Sequence, residues 1–142
     1  MNPNFRILSS CGLTSILLTF MGLISITFAA EVTKLTPAEA MDQIKEGKAV
    51  LVDVREPSEW AESGVAEPAK LLAKSDFDGA RKLWKPFLQK NKDKKIIVYC
   101  RSGARAGAVA NALAEEGIDV ANSGSLQNWI DAGLPIRKAE KK

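Results

Sequence analysis

The sequence predicts an α/β fold, a parallel sheet with helices on both faces. Two observations carry that expectation. Ala49-Val50-Leu51-Val52-Asp53-Val54 and Lys95-Ile96-Ile97-Val98-Tyr99 are nearly continuous apolar runs of strand length. Such runs mark strands covered on both sides. Segments that read as helices lie between and after them, so strands alternate with helices along the chain.

The elements follow in order. Thr36-Pro37-Ala38-Glu39 is a helix start. Thr36 can cap, Pro37 suits the first helical position, and Glu39 completes a capping box. This helix runs to about Glu46, where Gly47 ends it. The strand 49–54 comes next, then a short helix from Pro57 to Trp60 and a short strand from Ala69 to Leu72. Ser75 can cap a helix from Asp76, which Pro86 breaks or restarts as a second turn. The strand 95–99 runs straight into Cys100. Ala106 to Glu116 is alanine-rich and reads as a helix stopped by Gly117. A brief strand at Asp119–Ala121 and a helix at Leu126–Ala132 complete the order. Trp60, Trp84 and Trp129 fall on different elements, which favours packing roles over a shared ligand stripe.

Composition narrows the chemistry. The chain has 142 residues, 46% of them hydrophobic and 26% charged, which suits one globular domain with a short extra segment. A net charge of +3 without a basic run interleaved with aromatics argues against nucleic-acid binding. There is no histidine, which excludes a histidine base and histidine-ligated metals. The two cysteines, Cys11 and Cys100, cannot build a four-cysteine metal site. No metal and no cofactor is expected.

Residues 1–29 stand apart as a signal peptide or membrane anchor, leaving 30–142 as the domain. Arg6 is the only charge before an uncharged, mostly apolar run from Ile7 to Ala30. Thr27-Phe28-Ala29 fits a cut after Ala29. That reading places the mature chain outside the cytoplasm, in a bacterial periplasm. Left uncut, the run is long enough to span a bilayer, which takes about 20 residues, and would anchor the chain in the inner membrane. Leu8-Ser9-Ser10-Cys11 is similar to a lipoprotein box, but most of the apolar run follows Cys11 instead of preceding it. Removal of the segment leaves Cys100 as the sole thiol. An exported domain with one cysteine has no internal disulfide, so a reactive thiol is the hypothesis to weigh.

Cys100 ends a buried strand, at the edge where ligands bind in open α/β sheets. Arg101-Ser102-Gly103-Ala104-Arg105 then leads into a helix. Gly103 permits a tight turn with exposed N–H groups, and such a turn at a helix N-terminus cradles anions. The same field, with Arg101 and Arg105, favours thiolate over thiol. A nucleophile can therefore exist here without histidine. The bland alternative, a small buried hydrophobe ending a strand, does not account for the residues that follow it.

At this point the chain resembles the rhodanese family. Tyr99 to Arg105 looks like its active-site loop, and Leu51-Val52-Asp53-Val54-Arg55-Glu56-Pro57-Ser58-Glu59-Trp60 its entry motif. Asn128-Trp129 with Gly133-Leu134-Pro135-Ile136 resembles its closing segment. The resemblance implies a five-stranded parallel sheet and a sulfurtransferase. Cys100 would take a sulfane sulfur from a donor such as thiosulfate and hold it as a persulfide. It would then pass the sulfur to a thiophilic acceptor, a thiol or, as a test acceptor, cyanide. Loop N–H groups from Arg101, Ser102, Gly103, Ala104 and Arg105 would cradle the outer sulfur. Arg105 would close the loop and orient an anionic donor. Asp53 and Arg55 match supporting positions, with a surface ion pair worth under about 1 kcal/mol as the alternative.

The chain departs from the family in two places. Ser63-Gly64-Val65-Ala66-Glu67-Pro68-Ala69 stands where the family has Gly-His-Ile-Pro-Gly-Ala, without the histidine and with one extra residue. Asn122-Ser123-Gly124-Ser125 reads as a shortened segment before the last helix, with Ser125 where a second glycine is common. Two other functions compete. A cysteine phosphatase or arsenate reductase places five residues between Cys and Arg. Here four separate Cys100 from Arg105, a loop fit for a single sulfur better than for a tetrahedral oxyanion. A non-catalytic sulfur carrier or interaction module on the same fold is the other, and fold alone does not decide between them.

Overall fold

The computed structural model describes residues 31–139, so the signal or anchor expected over 1–29 lies outside the described residues. Five strands form a wholly parallel sheet. They are β1 (Thr33–Lys34), β2 (Ala49–Asp53), β4 (Lys70–Leu71), β5 (Lys95–Cys100) and β6 (Val120–Ser125), and their order across the sheet is β1-β6-β5-β2-β4. The five-stranded parallel sheet is therefore as expected. The chain goes from β2 out to β4 on one side and returns to lay β5 on the other. A crevice opens at such a reversal, beyond the carboxyl ends of the strands.

Side chains alternate along each strand and feed two cores. Val52 and Val54, with Ile96, Val98 and Cys100, face α3 (Lys74–Asp78), α4 (Trp84–Lys90) and α5 (Ala104–Glu115). Ala49 and Leu51, with Ile97 and Tyr99, face α1 (Pro37–Lys45) and α6 (Leu126–Asp131). Helices thus cover both faces. Trp84 and Trp129 are fully buried in the two cores, one in each, and their ring N–H groups donate to the carbonyls of Ala73 and Pro135.

The structure adds to the expected elements and shifts some of them. The capping box at Thr36 and Glu39 is formed. The short helix after β2, α2 (Pro57–Ser63), runs three residues past Trp60. Ser75 does not cap. Helix α3 starts at Lys74, and the Ser75 N–H and hydroxyl donate instead to the Glu56 carboxylate. The stretch Asn122–Ser125, read as a shortened segment before the last helix, continues β6. Ser125 then caps α6, its hydroxyl accepting from the Asn128 N–H while Asn128 Oδ1 accepts from the Ser125 N–H. Three two-residue strands had no expectation behind them: β1, and the antiparallel pair β3 (Val65–Ala66) with β7 (Ile136–Arg137). Two residues are too few to show a periodicity.

Because Ser125 ends β6 and starts α6 within one residue, losing its hydroxyl removes the bond it accepts from the Asn128 N–H and the one it donates to Asn128 Oδ1. Ser125→Ala should cost about 1 kcal/mol in urea unfolding. An unchanged midpoint would mean that packing of Leu126 and Trp129 holds α6 without its cap.

Candidate active site

Cys100 is the last residue of the central strand, and its side chain is fully enclosed. Opposite it the ladder is irregular: Val98 pairs with Asn122, but Cys100 pairs with Ser125. Three steps of β6 thus match two of β5. This bulge turns the Asn122 amide toward the loop. Asn122 Nδ2 donates to the Gly103 carbonyl at 3.2 Å, and its Oδ1 accepts from the Gly124 N–H at 2.8 Å. Gly103 itself has φ +91°, a conformation that favours glycine.

The loop turns its N–H groups inward. Cys100 Sγ accepts from the Gly103 N–H at 3.0 Å and from the Ala106 N–H at 3.5 Å. Ala106 lies in the first turn of α5, where N–H groups have no partner within the helix. The positive end of a 12-residue helix is thereby aimed at sulfur. Arg101, Ser102 and Ala104 form the exposed rim of the loop. The Arg101 side chain faces a hollow of about 380 Å³ beside Glu62, Gln127 and Ile130.

Arg105 turns to Glu59. Its two terminal nitrogens meet the two carboxylate oxygens at 2.6 and 2.7 Å, a bidentate pair across α5 and α2. Glu59 also accepts from the Glu56 N–H at 3.0 Å. The Arg105 guanidinium, burial notwithstanding, holds the Glu59 carboxyl down at about 2, and Glu59 in turn raises Arg105. Arg105 thus locks the loop to α2, and both arms of its fork are engaged.

Asp53 and Arg55 sit in a buried network, 0% and 3% exposed, so the surface-pair alternative does not hold. Arg55 Nη2 and Nε reach Asp53 at 2.7 to 3.1 Å. Arg55 Nη1 donates to the Ser63 hydroxyl and Nη2 to the Gly64 carbonyl, both at 2.7 Å. The Tyr99 hydroxyl donates to Asp53 at 2.6 Å and accepts from the Ala66 N–H at 3.0 Å. Burial, and then the Asp53 charge, push the Tyr99 phenol well above its ordinary range. The stretch that lacks the family histidine is thus held from below by this network. From outside, Arg137 donates to the carbonyls of Glu67 and Ala69.

Several of these roles were not foreseen. Glu59 and Tyr99 stood in recognised motifs with no role given, and Asn122 in the segment before the last helix with none either. Tyr99 did carry a signal, since a hydroxyl in an otherwise apolar strand needs a buried partner. The tie between Glu59 and Arg105 spans 46 residues, and local sequence holds no mark of it.

Comparison with known proteins places this geometry. The family model "Rhodanese-like domain" matches residues 36–132. A thiosulfate sulfurtransferase GlpE from Actinobacillus succinogenes is 32% identical over 109 residues, covering 75% of this chain and 92% of the relative. Among solved structures, the polysulfide-sulfur transferase homodimer of Wolinella succinogenes is 27% identical, with TM-score 0.61, covering 79% of this chain and 82% of that one. A Rhodopseudomonas palustris protein of unknown function, described as a possible tyrosine phosphatase, is 30% identical, with TM-score 0.64, covering 75% and 85%.

Two outcomes test the architecture of the site. Arg55→Ala strands a buried carboxylate and should cost about 3–5 kcal/mol in denaturant unfolding, and a loss under about 1 kcal/mol would return the pair to surface status. Glu59→Gln should cost about 1 kcal/mol at pH 6. Because the folded carboxyl titrates at about 2, below its ordinary 4.5, that advantage is complete above about 4.5 and lost as pH falls through about 2. A stability gap that stays constant down to pH 2 would contradict the ion pair.

Proposed function

The chain belongs to the rhodanese-like domain family, and on that premise we propose that it is a sulfurtransferase working through a persulfide on Cys100. The observation that carries this reading is the sulfur itself, at the carboxyl end of the central strand with two N–H donors aimed at it. The Cys100 thiolate attacks the sulfane sulfur of a donor such as thiosulfate. An S–S bond forms, the donor's own S–S bond breaks, and the electron pair leaves on sulfite. A thiophilic acceptor, a thiolate or cyanide, then attacks the outer sulfur. The bond to Sγ breaks and its electron pair returns to Cys100. Neither transfer needs a proton shuttle, which suits a chain without histidine.

The loop residues divide the work. Gly103 and Ala106 offer N–H groups to charge on sulfur, and Arg101, Ser102 and Ala104 form the rim through which donor and acceptor pass. Arg105, held by Glu59, keeps the loop closed over four intervening residues. That short span favours a single sulfur over the tetrahedral oxyanion of a phosphatase, the reaction suggested for the Rhodopseudomonas palustris protein. Asp53 and Arg55 support the floor. The domain occupies residues 30–142, and the segment 1–29 directs it out of the cytoplasm. Among the described residues no helix is long and apolar enough to cross a membrane.

Intact mass after incubation with thiosulfate is the test. The chain should gain one sulfur, cyanide should remove it, and Cys100→Ser should gain none. Persistent loading of Cys100→Ser would overturn the mechanism. A wild type that stays unloaded by thiosulfate and by polysulfide would favour a non-catalytic interaction module. Arg105→Ala should lower the rate of loading about 10-fold or more by loosening the loop, and an unchanged rate would remove Arg105 from the mechanism.

A further inference from the structure

Gly103 has two neighbours. Its N–H points at Cys100 Sγ, and the same residue lines a cleft of about 440 Å³ on the β1 side of the loop. Lys34, Thr36, Ser102, Asn122 and Ser123 line it too. The volume falls within the roughly 300–1,000 Å³ of small-molecule sites and is far more than a thiosulfate or cyanide ion fills. No residue lining it carries a carboxylate, and Lys34 is its one cation. The nearest acid on α1, Glu39, is committed to the Thr36 N–H and hydroxyl at 2.8 and 2.7 Å.

Ser123 supplies the independent observation. The residue is 3% exposed, and its hydroxyl is enclosed with no hydrogen-bond partner. An unpaired buried hydroxyl costs stability, so its presence calls for a reason. Asn122 and Gly124 on either side of it are tied into the loop clamp, which fixes Ser123 in the cleft.

We propose that this cleft holds the non-reacting, carboxylate-bearing end of a low-mass thiol acceptor, with Lys34 pairing the carboxylate and Ser123 giving its hydroxyl. The proposal rests on the persulfide reading and names the acceptor class for that site. A thiol seated here has its sulfur beside the loop. Its thiolate attacks the outer sulfur of the persulfide, a new S–S bond forms, and the electron pair of the broken bond returns to Cys100 Sγ.

Two small thiols of similar size separate charge from reach: 3-mercaptopropionate carries a carboxylate and 2-mercaptoethanol does not. Wild type, Lys34→Glu and Ser123→Ala are loaded with thiosulfate, checked for one added sulfur by intact mass, and assayed with each thiol. Lys34→Glu should raise the KM for 3-mercaptopropionate, relative to that for 2-mercaptoethanol, about 3- to 10-fold. Ser123→Ala should raise the 3-mercaptopropionate KM about 2- to 5-fold with no fall in melting temperature. An unchanged KM ratio in Lys34→Glu overturns the cleft. So does a Ser123→Ala variant that melts lower and keeps its KM, since the hydroxyl then serves the fold. A wild type that takes up no sulfur overturns the functional reading itself, which keeps the two failures apart.

Discussion

The buried ion pair between Asp53 and Arg55 is the constraint on which the rest of the site depends. It joins the end of β2 to the Tyr99 hydroxyl on β5, and through Tyr99 to the Ala66 N–H on β3. Through Ser63 and Gly64 it grips the end of α2. Helix α2 carries Glu59, Glu59 holds Arg105, and Arg105 lies in the first turn of α5 at the loop over Cys100. A side chain that touches no sulfur therefore decides where the sulfur loop lies. Such a chain of contacts works only if each link is rigid, and a desolvated carboxylate with four donors around it is rigid.

Charges in a core are a costly way to hold loops together. Apolar residues of equal volume often give equal or greater stability. What they lack is direction: a hydrophobic contact tolerates sliding, whereas the planar fork of Arg55 fixes three partners, Asp53, Ser63 and Gly64, at once. Beyond the carboxyl edge of a sheet there is also no regular ladder to satisfy backbone groups. The Gly64 carbonyl and Ala66 N–H need partners that side chains must supply. The same accounting explains Asn122, whose amide serves the Gly103 carbonyl and the Gly124 N–H where the bulge interrupts β6.

What was legible in the sequence follows from range. The strands around Leu51 and Ile97 are apolar without a break because both faces are covered, and the fold could be read from them. Thr36 and Glu39 are three residues apart, so their capping box shows in the letters. Cys100 was legible because strand, nucleophile, glycine and arginine are contiguous. Glu59 and Arg105 are not, and neither are Asp53 and Tyr99, although each pair is as close in space as any cap. Ser125 shows what a family pattern leaves out: it stood only as a departure where a second glycine is common, whereas its hydroxyl caps α6. The short strands β1, β3 and β7 escaped because pairing, and not their own residues, makes them strands.

A tension remains between holding and reaching the thiol. Cys100 is fully enclosed, and three clamps close the loop around it: the Glu59 pair on Arg105, Asn122 on Gly103, and the left-handed turn at Gly103 itself. A donor the size of thiosulfate reaches such a sulfur only if part of this loop gives way. The clamps are not alike in this respect. The Glu59–Arg105 pair is bidentate and charged, with both ends partly shielded from water, and the Asn122 bond is a single neutral one at 3.2 Å. Charge-assisted bidentate bonds are roughly twice as strong as neutral ones. The loop is therefore held less firmly on its Gly103 side, toward β6, than at its Arg105 end. The more weakly held side is the one lined by Ser102, Gly103 and Ser123. The stronger clamp thus sits in the first turn of α5, whose Ala106 N–H meets the Cys100 sulfur, and the weaker one holds Gly103 across from β6.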